Sequence, residues 1–150
     1  MQIKKTTLYQ IFGIIVVISF LVISYMFFSS NQTNTSNSNQ DSSQFSTVNA
    51  QQFDEQVSED NAVILDVRTA EEYSLGRIPG AINIDYYSND FQAQISKLDR
   101  EGNYKIYCNS GNRSSSALEL MKSLGFANVT ELAGGIQSWT SQGYEVCTNC

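Results

Sequence analysis

The hydrophobic pattern divides the chain into three stretches. Leu8 to Phe28 holds no charged residue and is dominated by Ile, Val, Leu and Phe. A helix over this run would be about 30 Å long, enough to cross a bilayer. It is apolar all round, whereas a core-packing helix keeps a polar face. Ser29 to Ser46 is nearly all Ser, Asn, Gln and Thr, with Phe45 its one large apolar residue. Such a segment buries too little surface to offset its conformational entropy, so a flexible tether is predicted.

From Thr47 onward, short apolar runs alternate with helical patterns. Strands are predicted at Ala62–Val67, Ala81–Ile84, Lys105–Tyr107 and Asn128–Glu131, where β-branched or aromatic residues cluster between polar breaks. Helices are predicted at Asn49–Val57, Glu71–Leu75, Phe91–Leu98 and Ser114–Leu124. The last of these places Ala117, Leu118, Met121 and Leu124 at helical spacing before Gly125. The alternation favours an α/β domain around a mainly parallel sheet. The expected organisation is a cytoplasmic N-terminus over 1–7 and a transmembrane anchor over 8–28. A polar linker over 29–46 and an α/β domain over 47–146 follow, then a Cys-x-x-Cys tail over 147–150. About a hundred residues suffice for one modest core.

Charge orients the anchor and removes several function classes. Lys4 and Lys5 precede the apolar run, and the next Lys or Arg is Arg68. The positive-inside rule then puts the N-terminus in the cytoplasm and the domain outside, on a single-pass membrane protein. The alternative is secretion after signal cleavage, although Ser24–Phe28 offers no small-x-small cleavage site. The formal net charge is −6 and no Lys/Arg run occurs, which argues against nucleic acid as a partner. The chain contains no histidine, so Ser-His-Asp, Cys-His and His-based metal chemistry are excluded. Neither a metal nor a cofactor is expected. Three cysteines remain, and their odd number suggests a Cys147–Cys150 pair with Cys108 left free.

Cys108 stands at the end of a predicted strand and before a predicted helix, where parallel sheets build their sites. The loop Cys108–Asn109–Ser110–Gly111–Asn112–Arg113–Ser114 can turn successive amides inward as an anion nest. The helix start adds unpaired N–H groups and partial positive charge. Gly111 permits unusual backbone, Arg113 offers a fixed charge and a forked donor, and Ser114 is the expected N-cap. Together these favour a thiolate, the reactive form of cysteine. The plainer alternative is a small buried cysteine at a strand end.

The same loop resembles the C-x-x-G-x-R-S active loop of rhodanese domains. Leu65–Asp66–Val67–Arg68, Glu71–Glu72–Tyr73 and Gly76–Arg77–Ile78–Pro79–Gly80–Ala81 look like that family's D-V-R…E-[FY]-x-x-G-H-I-x-G-A signature, with Arg77 at its usual His position. Leu132–Ala133–Gly134–Gly135–Ile136–Gln137–Ser138–Trp139 resembles its closing L-x-G-G-x-x-x-W element. The resemblance implies a rhodanese-like three-layer fold with a central parallel sheet. It implies a sulfurtransferase in which Cys108 takes sulfane sulfur from a donor such as thiosulfate and passes it, as a persulfide, to cyanide or a thiol. A thioredoxin-like protein is one candidate acceptor, and the chain is expected to act as a monomer. Residues 109–114 would hold the persulfide, Arg113 would bind the anionic donor or orient the loop, and Asp66 and Arg68 would support the site. Gly134, Gly135 and Trp139 read as turn and core.

Two rival classes stay open: a cysteine-based redox or oxyanion enzyme (a disulfide exchanger or arsenate reductase) and a non-catalytic binding module at the membrane. The Cys108–Arg113 loop is shorter than the cradle of cysteine phosphatases, which favours sulfur over phosphate. The intact Cys108 and Arg113 weigh against the binding module. Cys147 and Cys150 read either as a frayed tail disulfide or as a redox pair that accepts or resolves the Cys108 sulfur.

Overall fold

The computed structural model describes residues 44–150. The predicted anchor and all of the linker before residue 44 lie outside the described residues. Among the described residues, no helix is long and apolar enough to cross a membrane.

Five strands among the described residues form one sheet: β1 (Gln44–Val48), β2 (Ala62–Asp66), β3 (Ile82–Asn83), β4 (Asn103–Tyr107) and β5 (Asn128–Leu132), in the order β1-β5-β4-β2-β3. Every pairing is parallel, as the alternation of apolar runs and helical patterns implied. The helices among the described residues are α1 (Ala50–Val57), α2 (Ala70–Leu75), α3 (Phe91–Ile95), α4 (Asn112–Ser123) and α5 (Gly135–Ser141).

Strand alternation builds two cores from one sheet. Leu65, Tyr104, Ile106, Cys108 and Val129 face one side and pack with Phe91, Ile95, Ala117, Leu118 and Met121 of α3 and α4. Ile64, Tyr107 and Leu132 face the other side and pack with Ala50 and Phe53 of α1 and Ile136 and Trp139 of α5. The result is the expected three-layer α/β domain. β4 lies between β5 and β2 and carries its carboxyl end to Cys108 on the face covered by α4.

The structure differs from expectation at both borders of the domain. Gln44, Phe45 and Ser46 were assigned to the linker, yet they begin β1, which pairs in register with β5 from Gln44↔Asn128 to Val48↔Leu132. An edge strand needs only one paired side. Phe45 packs on the core, while the Ser46 hydroxyl donates to Thr130 at 3.3 Å and the Thr47 hydroxyl to Glu131 at 3.1 Å. At the other end, the tail expected to fray is docked. Cys147 and Arg77 exchange backbone hydrogen bonds of 2.9 and 3.0 Å. The Arg77 guanidinium donates to the carbonyls of Thr148 at 2.9 Å and Cys150 at 2.6 Å, and lies 4.6 Å from the Tyr73 ring centre. Cys147 and Cys150 are joined as a disulfide with a Cα separation of 5.9 Å.

Candidate active site

Cys108 leaves β4 buried, with 1% of its surface exposed. The chain then turns sharply through Gly111, whose φ of 108° lies in the region that only glycine enters freely, and starts α4 at Asn112. Gly111, not Ser114, is therefore the N-cap, which corrects the expected role of Ser114. The turn completes two residues earlier than the sequence pattern indicated, so Ser114 falls inside the first helical turn and its side chain points back toward the loop.

That displacement puts the Ser114 hydroxyl in the site. Ser114 Oγ lies 3.4 Å from Cys108 Sγ, 2.9 Å from the Gly111 carbonyl and 2.7 Å from Glu131 Oε1. The Gly111 amide donates to Cys108 Sγ at 3.1 Å. Burial by itself pushes the Cys108 thiol up. The Ser114 hydroxyl and the amides of Ser114, Gly111 and Ser110 outweigh it and hold the thiol below its ordinary range. The nest inferred from the sequence is thus formed by Ser110, Gly111 and Ser114 around one sulfur.

Arg113 does something different from binding a free anion. Its fork meets Glu72 in two hydrogen bonds, 2.7 Å to Oε2 and 2.8 Å to Oε1, and its guanidinium lies 5.4 Å from the Tyr87 ring centre. Arg113 therefore ties the loop to α2, and its charge reaches the sulfur only as a background field. The Arg113 hydrogen bond is the main reason that the Glu72 carboxyl is lowered to about 2. Glu72 also accepts the Thr69 amide at 3.1 Å, closing a capping box with the Thr69 side chain at the start of α2.

Asp66 and Arg68 stand beside the site as support. Arg68 Nη2 meets Asp66 Oδ2 at 2.5 Å and the Gly76 carbonyl at 2.6 Å, and its guanidinium lies 5.6 Å from the Tyr107 ring centre. Asp66 is fully buried, and its Oδ1 accepts the Arg68 amide at 2.9 Å. This buried pair braces the β2–α2 turn and has no direct contact with Cys108.

Three supports went unread in the sequence. Glu72 is one, although Thr69-x-x-Glu72 is a capping-box pattern. Glu131 is the second. It is buried under the loop and accepts the hydroxyls of Ser114, Ser115 (2.8 Å) and Thr47. A carboxylate at the carboxyl end of a strand paired with β4 was the available signal. The third is the start of α5, taken as a turn. The amides of Ile136 and Gln137 donate to the carbonyls of Cys108 at 2.9 Å and Asn109 at 3.2 Å. Gly135, at φ 59°, makes that approach possible, because a Cβ there would lie 2.4 Å from the Cys108 carbonyl oxygen.

A cleft of about 320 Å³ opens beside the loop, lined by Glu72, Leu75, Gly76, Asn109, Ile136 and Val146 among others. A cleft of about 330 Å³ lies at the amino ends of the strands, where Gln56 and Glu59 hold Lys105 at 2.9 and 3.7 Å. It contains no cysteine, and the carboxyl ends of the strands, where Cys108 stands, are where parallel sheets build their sites. Among the described residues no group of Cys, Asp and Glu is arranged to hold a metal.

With this geometry in view, likeness to known proteins decides the family. The profile described as Rhodanese-like domain matches residues 49–142. The chain belongs to the rhodanese-like domain family. Thiosulfate sulfurtransferase 16, chloroplastic, of Arabidopsis thaliana is 36% identical over 89 residues, covering 53% of this chain and 74% of that one. YrkF of Bacillus subtilis is 35% identical over 79 residues, 53% of this chain but only 42% of its own length. The crystal structure of a rhodanese-related protein from Thermoplasma volcanium is 34% identical, with a TM-score of 0.62, covering 69% of this chain and 98% of that one. The Arabidopsis relative is named a thiosulfate sulfurtransferase, which supports a rhodanese-type sulfurtransferase for this domain.

Proposed function

We propose that the domain moves sulfane sulfur through a Cys108 persulfide. One observation carries the reading: the free cysteine of the chain accepts the Gly111 amide at 3.1 Å within an amide nest, and its thiol is held below the ordinary range. A thiolate is the nucleophile that such a transfer needs.

In the proposed first step the Cys108 thiolate attacks the outer sulfur of thiosulfate. The S–S bond of the donor breaks, sulfite leaves with its electron pair, and the anionic terminal sulfur stays on Cys108. The amides of Ser110, Gly111 and Ser114 then hold that charge, so the same donors serve the thiolate and the persulfide. In the second step cyanide or a thiolate attacks the terminal sulfur and restores the Cys108 thiolate. Arg113 supports the loop through Glu72, and Asp66 with Arg68 supports the turn beside it. The thiosulfate sulfurtransferase among the relatives supports this donor class.

The disulfide-exchange reading is favoured by one observation, the Cys147–Cys150 disulfide, but that bond is separate from the nest and leaves Cys108 free. Localisation is proposed on sequence grounds: Leu8–Phe28 anchors the chain, with the domain on the extracytoplasmic side.

Incubation with thiosulfate followed by intact-mass measurement tests the proposal. The wild-type protein, with its tail disulfide closed, is expected to gain one sulfur that maps to Cys108 and that cyanide removes as thiocyanate. Cys108→Ser is expected to gain none. Sulfur uptake that persists in Cys108→Ser would overturn the assignment.

A further inference from the structure

We infer that the C-terminal Cys147–Cys150 pair is an internal dithiol that discharges the Cys108 persulfide as sulfide, an activity that rests on the persulfide reading above. The pair directly follows a residue in the wall of the cleft beside the Cys108 loop. Asn109, next in the chain to Cys108, and Val146, next to Cys147, line the same cleft of about 320 Å³. Cys108 and Cys147 are therefore each next in the chain to a residue that lines one shared space.

The tail is held there by groups that do not depend on the disulfide. Cys147 is bridged to Arg77 through both backbone groups, and Arg77 grips the carbonyls of Thr148 and Cys150. Upstream, Trp139 Nε1 donates to the Glu145 carbonyl at 2.8 Å, and the Tyr144 ring packs on Trp139 with centres 4.6 Å apart. None of these anchors uses the sulfur of Cys147 or Cys150. The guanidinium also sets a permanent positive charge against the segment that carries both sulfurs. Cys147 is half-buried and next to the cleft residue Val146, and Cys150 is exposed, which assigns the attacking role to Cys147 and the resolving role to Cys150.

The chemistry closes without a missing reactant. Loading Cys108 places the reactive atom one S–S bond, about 2 Å, beyond its own sulfur. The Cys147 thiolate attacks that terminal sulfur, the Cys108 S–S bond breaks, and Cys108 leaves as a thiolate. Cys147 now carries the persulfide. The Cys150 thiolate attacks the Cys147 sulfur, a Cys147–Cys150 bond forms, and hydrosulfide leaves with the electron pair. The sulfane sulfur is reduced to sulfide, and the dithiol is oxidised to the disulfide seen in the structure. The protons of the two tail thiols go to the departing sulfide and to solvent. A dithiol reductant, the class that opens exposed disulfides by exchange, resets the pair for the next turnover.

The test uses the whole protein, reduced, freed of reductant and kept anaerobic, then given thiosulfate. Reduced wild-type protein is expected to release one sulfide per chain while Cys147 and Cys150 close. The rate should be independent of protein concentration, as an internal reaction requires. Cys150→Ser is expected to stop midway, with the added sulfur mapped to Cys147. Arg77→Gln is expected to slow sulfide release per loaded chain by about tenfold, since the tail loses its positioning. A reduced wild-type chain that keeps its sulfur on Cys108 with both tail thiols free would overturn the inference and leave the sulfurtransferase reading intact. A chain that takes up no sulfur at all, whether the tail is open or closed, would overturn both.

Discussion

Ser114 has one hydroxyl proton and three acceptors within reach: Cys108 Sγ, the Gly111 carbonyl and Glu131. Sharing of that proton tunes the reactivity of the sulfur, because any share given to Cys108 favours its thiolate. In Ser114→Ala the burial that raises the thiol remains while one opposing group is gone, so the midpoint must move to higher pH. The rate of Cys108 alkylation by iodoacetamide across pH reads this directly, and an unmoved midpoint would remove Ser114 from the site. Gly135 acts on the other side of the same residue. An alanine there meets the Cys108 carbonyl oxygen at 2.4 Å and holds a φ of 59°. Gly135→Ala is expected to cost at least about 2 kcal/mol by denaturant unfolding and to lower sulfur uptake as the loop shifts. At this scale the sequence was informative about which residues form the loop around the sulfur. Cys108, Gly111 and Arg113 were legible because their types are chemically uncommon in that arrangement. Glu131 was not, because its meaning comes from Ser114, Ser115 and Thr47, which reach it from two other elements.

Among elements, α2 joins the loop to the rest of the domain. Glu72 closes the cap of α2 and holds both arms of Arg113 at the start of α4. The Glu72 carboxyl is lowered to about 2 from an ordinary 4.5, so its contribution is full above the unfolded value and is lost as pH falls toward 2. The side chain is 32% exposed, and solvent screening reduces the gain to roughly 1 kcal/mol. Glu72→Gln is therefore expected to be less stable than wild type by that amount near neutral pH. The two proteins should converge between about pH 4 and pH 2 in chemical denaturation. A constant difference across that range would show that Glu72 acts through packing and not through its charge. Most elements were legible as periodic runs: β2, β4, β5 and α1 lie within two residues of their expected positions. β1 was missed because Gln44, Ser46 and Thr47 are polar, and only pairing with β5 makes a strand of them. α5 was missed because its first residue is a glycine with positive φ, which as a local signal reads as a turn.

At the scale of the whole molecule, the proposal of a tethered extracytoplasmic domain rests on Lys4, Lys5 and the uncharged run that follows them. The full chain is expected to stay with membranes after an alkaline wash, to dissolve in detergent, and to retain Met1. A soluble chain that begins beyond Phe28 would replace the anchor with a cleaved signal. Acidic net charge argued against nucleic acid as a partner, and the lack of histidine removed whole mechanisms, both regardless of fold. Those are properties of composition and of local order, as are the strand and helix periods and the Cys108–Ser114 spacing, so the amino-acid sequence alone determined them. Only the tertiary structure decided that Arg113 is committed to Glu72, that Gly111 rather than Ser114 caps the helix, and that Val146 of the tail and Asn109 of the loop line one cleft. The physical reason is distance along the chain. Residues 41 positions apart, as Glu72 and Arg113 are, interact only when the sheet brings their elements side by side, and no local propensity encodes that meeting.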